Sequence, residues 1–425
     1  MLKTVRWKIC FLMFLGILIN YLDRVNISQA IIEIPKSFAL SGAQKGWVLS
    51  AFGIGYVAMM MAGGYFVFRL GARVALTIST ILLALTSIAC GLSTSFIILL
   101  VLRFFIGVFE APVYPAFASI AGIWFPKKER VKAIGFFDIG SYAGIAFATL
   151  VIVYIITHYS WRASFIFSGV FTFLWAIAWF FYYRDSPAKH PRITNSEVQI
   201  IGNNVNIQSA VKGAWLKYIG NRKVIGISIG FFCFNYLKSF YLTWLPTYMV
   251  ETKGIKLLAF GIVGSIPLLF AIAAELFTAY TIDRLVAKGY PATYVKKLPV
   301  CIGMLLSTII AFSLFTTSVA VIVVLLTLSY IFLLSASVSI WSIPEELAQS
   351  KNDIAIIGSI QNTFSNIAGI IAPIATGYMY SKTGSFLWPF MVSVAISVIG
   401  ALSYWKVVGN LTFIKFKNSP AVTYK

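Results

Sequence analysis

The sequence predicts an all-α integral membrane protein in which twelve transmembrane helices form two pseudo-symmetric bundles of six. Three observations support this fold class. The 425 residues are 59% hydrophobic and 11% charged, with a mean hydropathy of +0.87, which is more apolar surface than a soluble domain of this length could bury. Charged and turn residues divide the chain into twelve apolar runs. A basic turn also recurs half a chain apart, with Arg69 and Arg73 in the first half and Arg284 in the second.

Each apolar run is long enough to cross a bilayer, because a hydrocarbon core of about 30 Å requires about 20 residues of helix. The predicted spans, numbered in chain order, are 8–32, 43–67, 74–93, 96–121, 133–157, 162–183, 224–249, 258–282, 295–316, 318–343, 354–380 and 385–408.

The distribution of basic residues predicts the orientation of these spans. The net charge is +21, and 25 of the 34 Lys and Arg residues lie in the amino tail, alternate loops and the carboxyl tail. Cytoplasmic loops of membrane proteins carry such an excess. We therefore expect a protein of the plasma (cytoplasmic) membrane with both termini in the cytoplasm. A nucleic-acid partner is not expected, since it would require one clustered basic face.

The spans fall into two groups of six separated by one longer polar stretch. This pattern predicts an N-terminal six-helix bundle at 1–183, a cytoplasmic linker at 184–223, and a C-terminal six-helix bundle with a short cytoplasmic tail at 224–425. We expect His190, in the linker, to be solvated. Duplicated halves are typical of transporters whose substrate site lies near the middle of the bilayer.

Four charged residues interrupt spans 1 and 4. Asp23 and Arg24 lie in the first, whereas Arg103 and Glu110 are the only charges between residues 96 and 126. A charge near the middle of a membrane helix costs at least about 2.5–3.5 kcal/mol, so such side chains usually face a wet cavity or one another. Residues seven apart differ by about 20° around a helix, which places Arg103 and Glu110 on one face. We therefore expect a polar site on spans 1 and 4.

The segments around these charges resemble the anion:cation symporter branch of the major facilitator superfamily. The matching segments are NYLDRVNIS at 20–28, RFFIGVFEAP at 103–112, WFPKKER at 124–130, FNYL at 234–237, LTWLPTY at 242–248, IQN at 360–362 and NIAGIIAP at 366–373. Members of this branch include bacterial symporters of sugar acids such as galactonate, glucarate and hexuronates, other carboxylate carriers, and the animal sialin and vesicular glutamate transporters. The resemblance covers both halves and implies the major facilitator fold.

The chain departs from the family pattern around span 2. Phe68 stands where the family usually has an aspartate, Met60 where it has a glutamine, and Ala62 where it has a proline, whereas Tyr56 matches the expected tyrosine. The first two departures weaken any inference about how a cytoplasmic gate is locked or how span 2 binds a polar substrate.

Chemistry and resemblance together predict roles for the four charges. A carboxyl group in a membrane beside an arginine can titrate near neutral pH, because burial and the cation shift its pKa in opposite directions. This suits Asp23 and Glu110 to carry protons, and acids at the matching positions of the sugar-acid symporters are the proton-coupled ones. Arginine remains charged and binds carboxylates through a bidentate fork, which suits Arg24 and Arg103 to hold an anionic substrate. The alternative is that these residues form interhelix ion pairs that only stabilise the amino-terminal half.

Further polar and aromatic residues in the spans suit a hydroxylated substrate, since amides and phenols bind hydroxyl groups and an aromatic ring packs on the apolar face of a sugar. The predicted residues are Tyr56, Asn235, Trp341 and Asn362. Each could instead stabilise contacts between helices.

Two further charges in the carboxyl-terminal half, Lys238 in span 7 and Glu275 in span 8, are predicted to form an auxiliary pair. Lys238 could alternatively bind a second substrate carboxylate, or extend to the membrane surface.

These observations predict a secondary active transporter that carries an organic anion together with protons by alternating access. The leading substrate class is a sugar acid such as an aldonate, aldarate or hexuronate. Alternatives are a phthalate-, tartrate- or nicotinate-like carboxylate, anion exchange, or a non-transporting membrane sensor. An enzyme is not expected, because no metal cluster, nucleophile–base set or phosphate loop is evident. We expect no metal and no cofactor other than the coupling proton. The expected partners are a small organic anion and the lipid bilayer, and the expected oligomeric state is a monomer.

Overall fold

The structure is a computed structural model, and it describes residues 4–202 and 216–414. Linker residues 203–215 and the carboxyl tail from residue 415 therefore lie outside the described residues. Within the described ranges the regular structure is helical throughout, without a β-strand. The predicted all-α class is confirmed.

Fifteen α-helices occur in the described residues, and the longest have the length of membrane spans. They are α1 (Val5–Ala30), α2 (Pro35–Phe38), α3 (Gly42–Gly91), α4 (Phe96–Glu110), α5 (Val113–Trp124), α6 (Lys127–His158), α7 (Trp161–Tyr182), α8 (Asn195–Ile201), α9 (Leu216–Ile219), α10 (Arg222–Thr247), α11 (Leu257–Ala287), α12 (Ala292–Ser307), α13 (Val319–Leu347), α14 (Lys351–Thr383) and α15 (Leu387–Leu402). Short 3-10 segments occur at Pro187–Lys189 and Thr308–Phe315, and π-helical segments at Tyr248–Thr252 and Ser403–Val407.

Eleven helical segments of the described residues are long and apolar enough to cross a membrane. The predicted spans 2 and 3 form one helix, α3, that bends at Gly71. Of this helix, Ala62–Gly91 is counted among the eleven segments, and the part before Ala62 belongs to the remaining predicted span, span 2. Gly71 has φ +77° and ψ 154°, a conformation that favours glycine. Asp185 fixes the bend, because its Oδ1 accepts a hydrogen bond from the Arg73 backbone N–H at 3.0 Å.

The predicted span 4 is divided into two helices. α4 ends at Glu110 and α5 begins at Val113. Pro112 and Pro115 lack the backbone N–H that an uninterrupted helix would use, so the break follows from the sequence. It places Glu110 at the carboxyl end of α4, where the helix dipole disfavours a negative charge.

Contacts between residues divide the chain into two compact units. Among the described residues, unit 1 contains 4–202, 239–269 and 369–389, and unit 2 contains 216–238, 270–368 and 390–414. Parts of α10, α11, α14 and α15 thus belong to unit 1. The two predicted bundles with boundaries at 183 and 224 stay a prediction.

In unit 1, α3 and α4 approach closely at Gly55 and Gly107. A Cβ added to Gly55 would collide with the carbonyl oxygen of Phe104, and one added to Gly107 would collide with that of Phe52. Small residues permit such backbone contact in membranes, where van der Waals packing drives helix association. The contact brings the Phe52 region of α3 against α4.

A second close contact in unit 1 joins α3 to α14. We call it the glycine seam and define it by Gly42, Gly46, Ser50, Pro373 and Gly377. A Cβ on Gly46 would lie 2.6 Å from the Pro373 carbonyl oxygen, and one on Gly377 would lie 2.5 Å from that of Gly42. The Ser50 hydroxyl donates to the Ile370 carbonyl at 2.7 Å.

An ion pair lies beside the glycine seam. Lys45 Nζ is 2.5 Å from Glu251 Oε1, and the Tyr380 hydroxyl donates to Glu251 Oε2 at 3.2 Å. Lys45 is 6% exposed, so its charge depends on Glu251 for compensation.

Part of the predicted linker binds the start of α1. Glu197 of α8 accepts hydrogen bonds from the backbone N–H groups of Val5 at 3.1 Å and Arg6 at 2.9 Å. The Arg6 side chain forms ion pairs with Glu197 at 3.3 Å and Glu129 at 3.0 Å. A carboxylate at a helix amino terminus is favourable because the unpaired N–H groups and the helix dipole point toward it.

The expectation that His190 is solvated is wrong. It is 4% exposed and packs edge-on against Trp124, with ring centroids 5.7 Å apart. The Arg192 backbone N–H donates to Nδ1 at 3.2 Å, so the neutral ring carries its proton on Nε2, 3.0 Å from the Tyr182 carbonyl oxygen. Burial lowers the pKa of His190 from its ordinary value of 6.5. The sequence around His190 gave no sign of this aromatic contact.

In unit 2, α12 and α13 form a close pair. A Cβ on Gly303 would lie 2.5 Å from the Phe332 carbonyl oxygen, and Lys296 Nζ lies 2.5 Å from Glu346 Oε1. Glycine contact and an ion pair therefore both join these helices.

Candidate functional site

The candidate site in unit 1 is centred on Arg24 of α1 and Glu110 of α4. Arg24 Nε lies 2.6 Å from Glu110 Oε1. The Glu110 side chain is 3% exposed and that of Arg24 18%. The other carboxylate oxygen, Glu110 Oε2, is buried without a hydrogen-bond partner. The pair is therefore formed from the acid of span 4 and the base of span 1.

Three aromatic rings surround the Arg24 guanidinium. Its Cζ lies 5.0 Å from the ring centroid of Tyr21, 4.9 Å from that of Phe52 and 5.1 Å from that of Tyr56. Phe52 and Tyr56 occupy successive turns of α3 and stack with centroids 5.7 Å apart. Ring faces attract a guanidinium by about 0.5–2 kcal/mol each, depending on desolvation. Together the rings hold Arg24 in position beside Glu110.

Asp23 lies in a different environment from its neighbour. Its side chain is fully buried, its Oδ1 accepts a hydrogen bond from the Ser87 hydroxyl at 2.6 Å, and its Oδ2 accepts one from the Thr172 hydroxyl at 3.0 Å. These contacts connect α1 to α3 and α7. A carboxyl group held by two hydroxyl donors is stabilised without a direct ion pair.

Arg103 contacts the backbone of α1. Its Nη1 donates to the Asp23 carbonyl oxygen at 3.2 Å, and its Cζ lies 5.6 Å from the Phe52 ring centroid. Arg103 is 1% exposed, and its Nε has no hydrogen-bond partner. A buried donor left unsatisfied costs about 1–3 kcal/mol. The structure thus leaves a donor on Arg103 and an acceptor on Glu110 unused.

Sequence reasoning missed Tyr21, Phe52 and Tyr114 near this site. Tyr21 lies three residues before Arg24, a spacing that places both on one helix face. Phe52 and Tyr56 are four residues apart, which also predicts a shared face. The Tyr114 hydroxyl donates to Asp138 Oδ1 at 3.3 Å.

Two predicted residues of the carboxyl-terminal half lie close together in unit 2. Asn235 Nδ2 of α10 donates to the Ser365 carbonyl oxygen of α14 at 2.7 Å. Asn362 of α14 lies one turn from Ser365, whose hydroxyl donates to the Asn362 carbonyl oxygen at 2.9 Å. Asn235 and Asn362 are both partly exposed. They therefore present amide groups from adjoining parts of two helices.

The remaining predicted residues of unit 2 have separate surroundings. Trp341 is 57% exposed, and its ring meets Phe231 edge-on with centroids 5.2 Å apart. Glu275 Oε1 accepts a hydrogen bond from the Ser337 hydroxyl at 2.7 Å. Lys238 is partly exposed, one turn after Asn235 on α10. The pairing of Lys238 with Glu275 stays a prediction.

The chemistry available to the site is charge pairing, ring stacking and hydrogen bonding. Within residues 4–202 and 216–414, no group of three or more His, Cys, Asp or Glu side chains could hold a metal ion. An anion that reached Arg24 would compete directly with Glu110 for the guanidinium, because a fixed cation binds competing carboxylates through the same donors.

Comparison with known proteins gives a consistent result. The family model of the Major Facilitator Superfamily matches residues 13–355. The chain is 32% identical over 419 residues to the D-galactonate transporter of Escherichia coli O6:H1, covering 96% of each chain. It is 30% identical over 431 residues to a probable galactarate/D-glucarate transporter of Bacillus subtilis, covering 97% of this chain and 94% of the relative.

Among solved structures, the fold is similar to that of a bacterial homologue of the human lysosomal transporter Spinster. The TM-score is 0.78 at 17% sequence identity, covering 96% of this chain and 97% of the other. At this identity the likeness concerns the fold alone.

Proposed function

This chain belongs to the Major Facilitator Superfamily, and we propose that it carries a sugar acid together with protons across the membrane. It is an integral membrane transporter and not an enzyme, since its family and relatives are transporters. The names of those relatives, which refer to galactonate and to galactarate or glucarate, support an aldonate or an aldarate as substrate, and we extend the proposal to the chemically similar hexuronates.

The observation that carries this proposal is the contact of 2.6 Å between Arg24 Nε and Glu110 Oε1. In this state the acid occupies the donor that an anionic substrate needs. Protonation of Glu110 removes its negative charge and frees Arg24 to bind the incoming carboxylate. By thermodynamic linkage, bound substrate then raises the affinity of Glu110 for its proton by the same factor. Proton and anion therefore bind together.

The aromatic rings around Arg24 support this exchange. A planar guanidinium held against Tyr21, Phe52 and Tyr56 keeps its orientation when Glu110 is protonated. Less conformational freedom is then lost when the substrate binds. Tyr56 also offers a hydroxyl group to the substrate.

We assign the other predicted residues to secondary roles. Asp23 is a second proton carrier, and Arg103 orients the charges around it through its contact with the Asp23 backbone. Asn235 and Asn362 bind substrate hydroxyl groups through their amides, and Trp341 packs on the apolar face of the sugar.

We further propose that transport proceeds by alternating access and that the glycine seam of unit 1 parts during the cycle. At Gly46 the two helices touch backbone to backbone, so this contact separates without disengaging interlocked side chains, and the ion pair of Lys45 with Glu251 stabilises the form in which the seam is closed. The excess of basic residues in alternate loops supports cytoplasmic termini and a location in the plasma membrane. We propose a monomer that needs no cofactor besides the coupling proton.

The test compares the wild-type protein with Glu110→Gln in liposomes. Glutamine resembles the protonated acid in shape and charge, so the variant should still bind D-galactonate or D-glucarate and should exchange labelled for unlabelled substrate. Accumulation driven by a pH gradient should be lost. Glu345→Gln, on an exposed acid of α13, is the matched control and should behave like the wild type.

Two results would overturn the proposal in different ways. Proton-driven accumulation by Glu110→Gln would remove Glu110 from coupling. Failure of the wild-type protein to bind any aldonate, aldarate or hexuronate in a thermal-shift screen would reject the substrate class, whatever the result for Glu110.

A further inference from the structure

A groove of about 560 Å³ lies between α1 and α7 in unit 1, away from Arg24 and Glu110. Its walls are apolar and are formed by Phe11, Leu12, Leu15, Ala178 and Phe181. Phe181 is 69% exposed, so its ring is available for contact with a lipid chain.

The groove lies where both helices reach the membrane surface. α1 begins at Val5 and α7 ends at Tyr182, and both helices are candidate membrane spans. Lys8, in the second turn of α1, and Arg192, ten residues after the end of α7, also line the groove. Its apolar walls therefore lie along the spans, and its basic rim lies at their ends.

The side chains of Lys8, Tyr182 and Arg192 at the rim have no hydrogen-bond or ion-pair partner in the described part of the chain, whereas His190, which also lines the groove, is bonded to the Tyr182 carbonyl oxygen. Lys8 and Arg192 are exposed, and neither forms an ion pair with a described carboxylate. Arg6, two residues before Lys8, is by contrast neutralised by Glu129 and Glu197. The Tyr182 hydroxyl is enclosed and has no hydrogen-bond partner.

We propose that this groove binds one anionic phospholipid, such as phosphatidylglycerol. Lys8 and Arg192 bind the phosphate, the Tyr182 hydroxyl donates a hydrogen bond to it, and an acyl chain lies between Phe11 and Phe181. Basic pockets at the ends of transmembrane helices recognise anionic headgroups in this way. The leaflet is the cytoplasmic one, given the predicted position of the amino terminus.

The bound lipid has a structural consequence for the linker. Arg192 and Pro191 belong to the segment after α7, whereas Lys8 belongs to α1. A phosphate held by both cations joins the start of the linker to the amino end of α1. The lipid therefore reinforces the contact that Glu197 makes with Arg6.

The experiment measures lipid retention by native mass spectrometry on the full-length protein in micelles that contain phosphatidylglycerol or phosphatidylcholine. The wild-type protein should retain one phosphatidylglycerol. Lys8→Gln with Arg192→Gln should weaken binding about tenfold or more, since each basic residue contributes to attraction of an anionic headgroup. Tyr182→Phe should weaken it less. Ala178→Trp, which fills the groove without a change of charge, should also remove the lipid.

The matched control is Lys132→Gln with Lys288→Gln, which removes two exposed bases outside the groove. If this control lost as much lipid, the loss would reflect general attraction of the lipid to positive charge, and the proposed site would be rejected. If the wild-type protein retained phosphatidylcholine as well as phosphatidylglycerol, the groove would not select an anionic headgroup, and the proposal would also be rejected. Competition by glycerophosphoglycerol as strong as that by phosphatidylglycerol would indicate an anion site without acyl-chain recognition. Unfolding temperatures in phosphatidylcholine confirm that each variant is folded.

Discussion

Asp23 and Arg24 are consecutive residues of α1, yet their side chains have different partners. The Asp23 carboxylate binds Ser87 and Thr172, whereas the Arg24 guanidinium binds Glu110. Successive residues of an α-helix point about 100° apart, so α1 directs the Asp23 carboxylate and the Arg24 guanidinium toward different neighbouring helices. The two residues can therefore be tested separately.

Asp23→Asn should lower the number of protons carried per substrate if Asp23 is a second proton carrier. Asparagine keeps one acceptor for Ser87 or Thr172, so the protein should fold with a loss of stability of about 1–3 kcal/mol. The ratio is measured from the membrane potential at which net uptake stops. Ser87→Ala should reduce stability without a change in this ratio. An unchanged ratio in Asp23→Asn would make Asp23 purely structural.

Arg24→Lys should weaken substrate binding by about 10- to 100-fold. Lysine keeps the charge but lacks the planar fork and the Nε–H that now meets Glu110, and a charge-assisted hydrogen bond contributes about 1.5–3 kcal/mol. Calorimetric titration with D-galactonate measures the change. Arg69→Lys is the control, because the Arg69 guanidinium likewise lies near a tyrosine ring, that of Tyr65, and its Nε donates to the Tyr65 hydroxyl, but on the exposed surface. Equal affinity for wild type and Arg24→Lys would exclude Arg24 from substrate binding.

Gly107→Ala should separate α3 from α4 and displace the rings beside Arg24. The new methyl group would collide with the Phe52 carbonyl oxygen, and overpacking typically costs about 1–3 kcal/mol. We expect a lower unfolding temperature together with weaker substrate binding. Gly135→Ala provides the control, since a Cβ there has no neighbour within 4 Å. A Gly107 variant as stable as the control would contradict the close contact.

Glu251→Gln should destabilise the protein more than the combined change Lys45→Met and Glu251→Gln. The single change leaves the buried Lys45 charge without its carboxylate, whereas the double change removes the charge itself. A double-mutant cycle of unfolding temperatures should give a coupling energy of about 1 kcal/mol or more, because Lys45 is buried and Glu251 is only partly so. Additive effects would show that the pair contributes nothing to the closed seam.

Acidification should release the linker segment around His190. Burial lowers the pKa of His190 in the folded protein, so the folded state binds the proton less readily than the unfolded chain. The stability contributed by the docked neutral ring is therefore complete above about pH 6.5 and is lost as the pH falls through the lowered value. The opening free energy of the Arg192 amide, obtained from its hydrogen-exchange rate after correction for the intrinsic pH dependence of exchange, should fall between pH 7.5 and 5. His190→Gln should abolish this dependence, and a flat profile in the wild type would contradict it.

The sequence predicted the helices well because each span is a long apolar run, but it misjudged their junctions. One glycine at position 71, with a positive φ, replaces the loop expected between spans 2 and 3. The break after Glu110 divides the predicted span 96–121 because Pro112 and Pro115 lack the backbone N–H of a continuous helix. The choice of Arg24 as the partner of Glu110 could not be predicted, because the two are 86 positions apart and the pairing depends on the rotation of α1 about its axis. The burial of His190 likewise depends on a distant tryptophan.

The division between α4 and α5 has a mechanical consequence. Each helix keeps its own ladder of backbone bonds, so α5 can pivot at Pro112 without unwinding α4. Tyr114, two residues past the pivot, is tethered to Asp138 of α6. A tilt of α6 would pull on Tyr114 through this hydrogen bond and rotate α5 about Pro112. Because Glu110 lies two residues before Pro112, such a rotation would change the distance between Glu110 and Arg24.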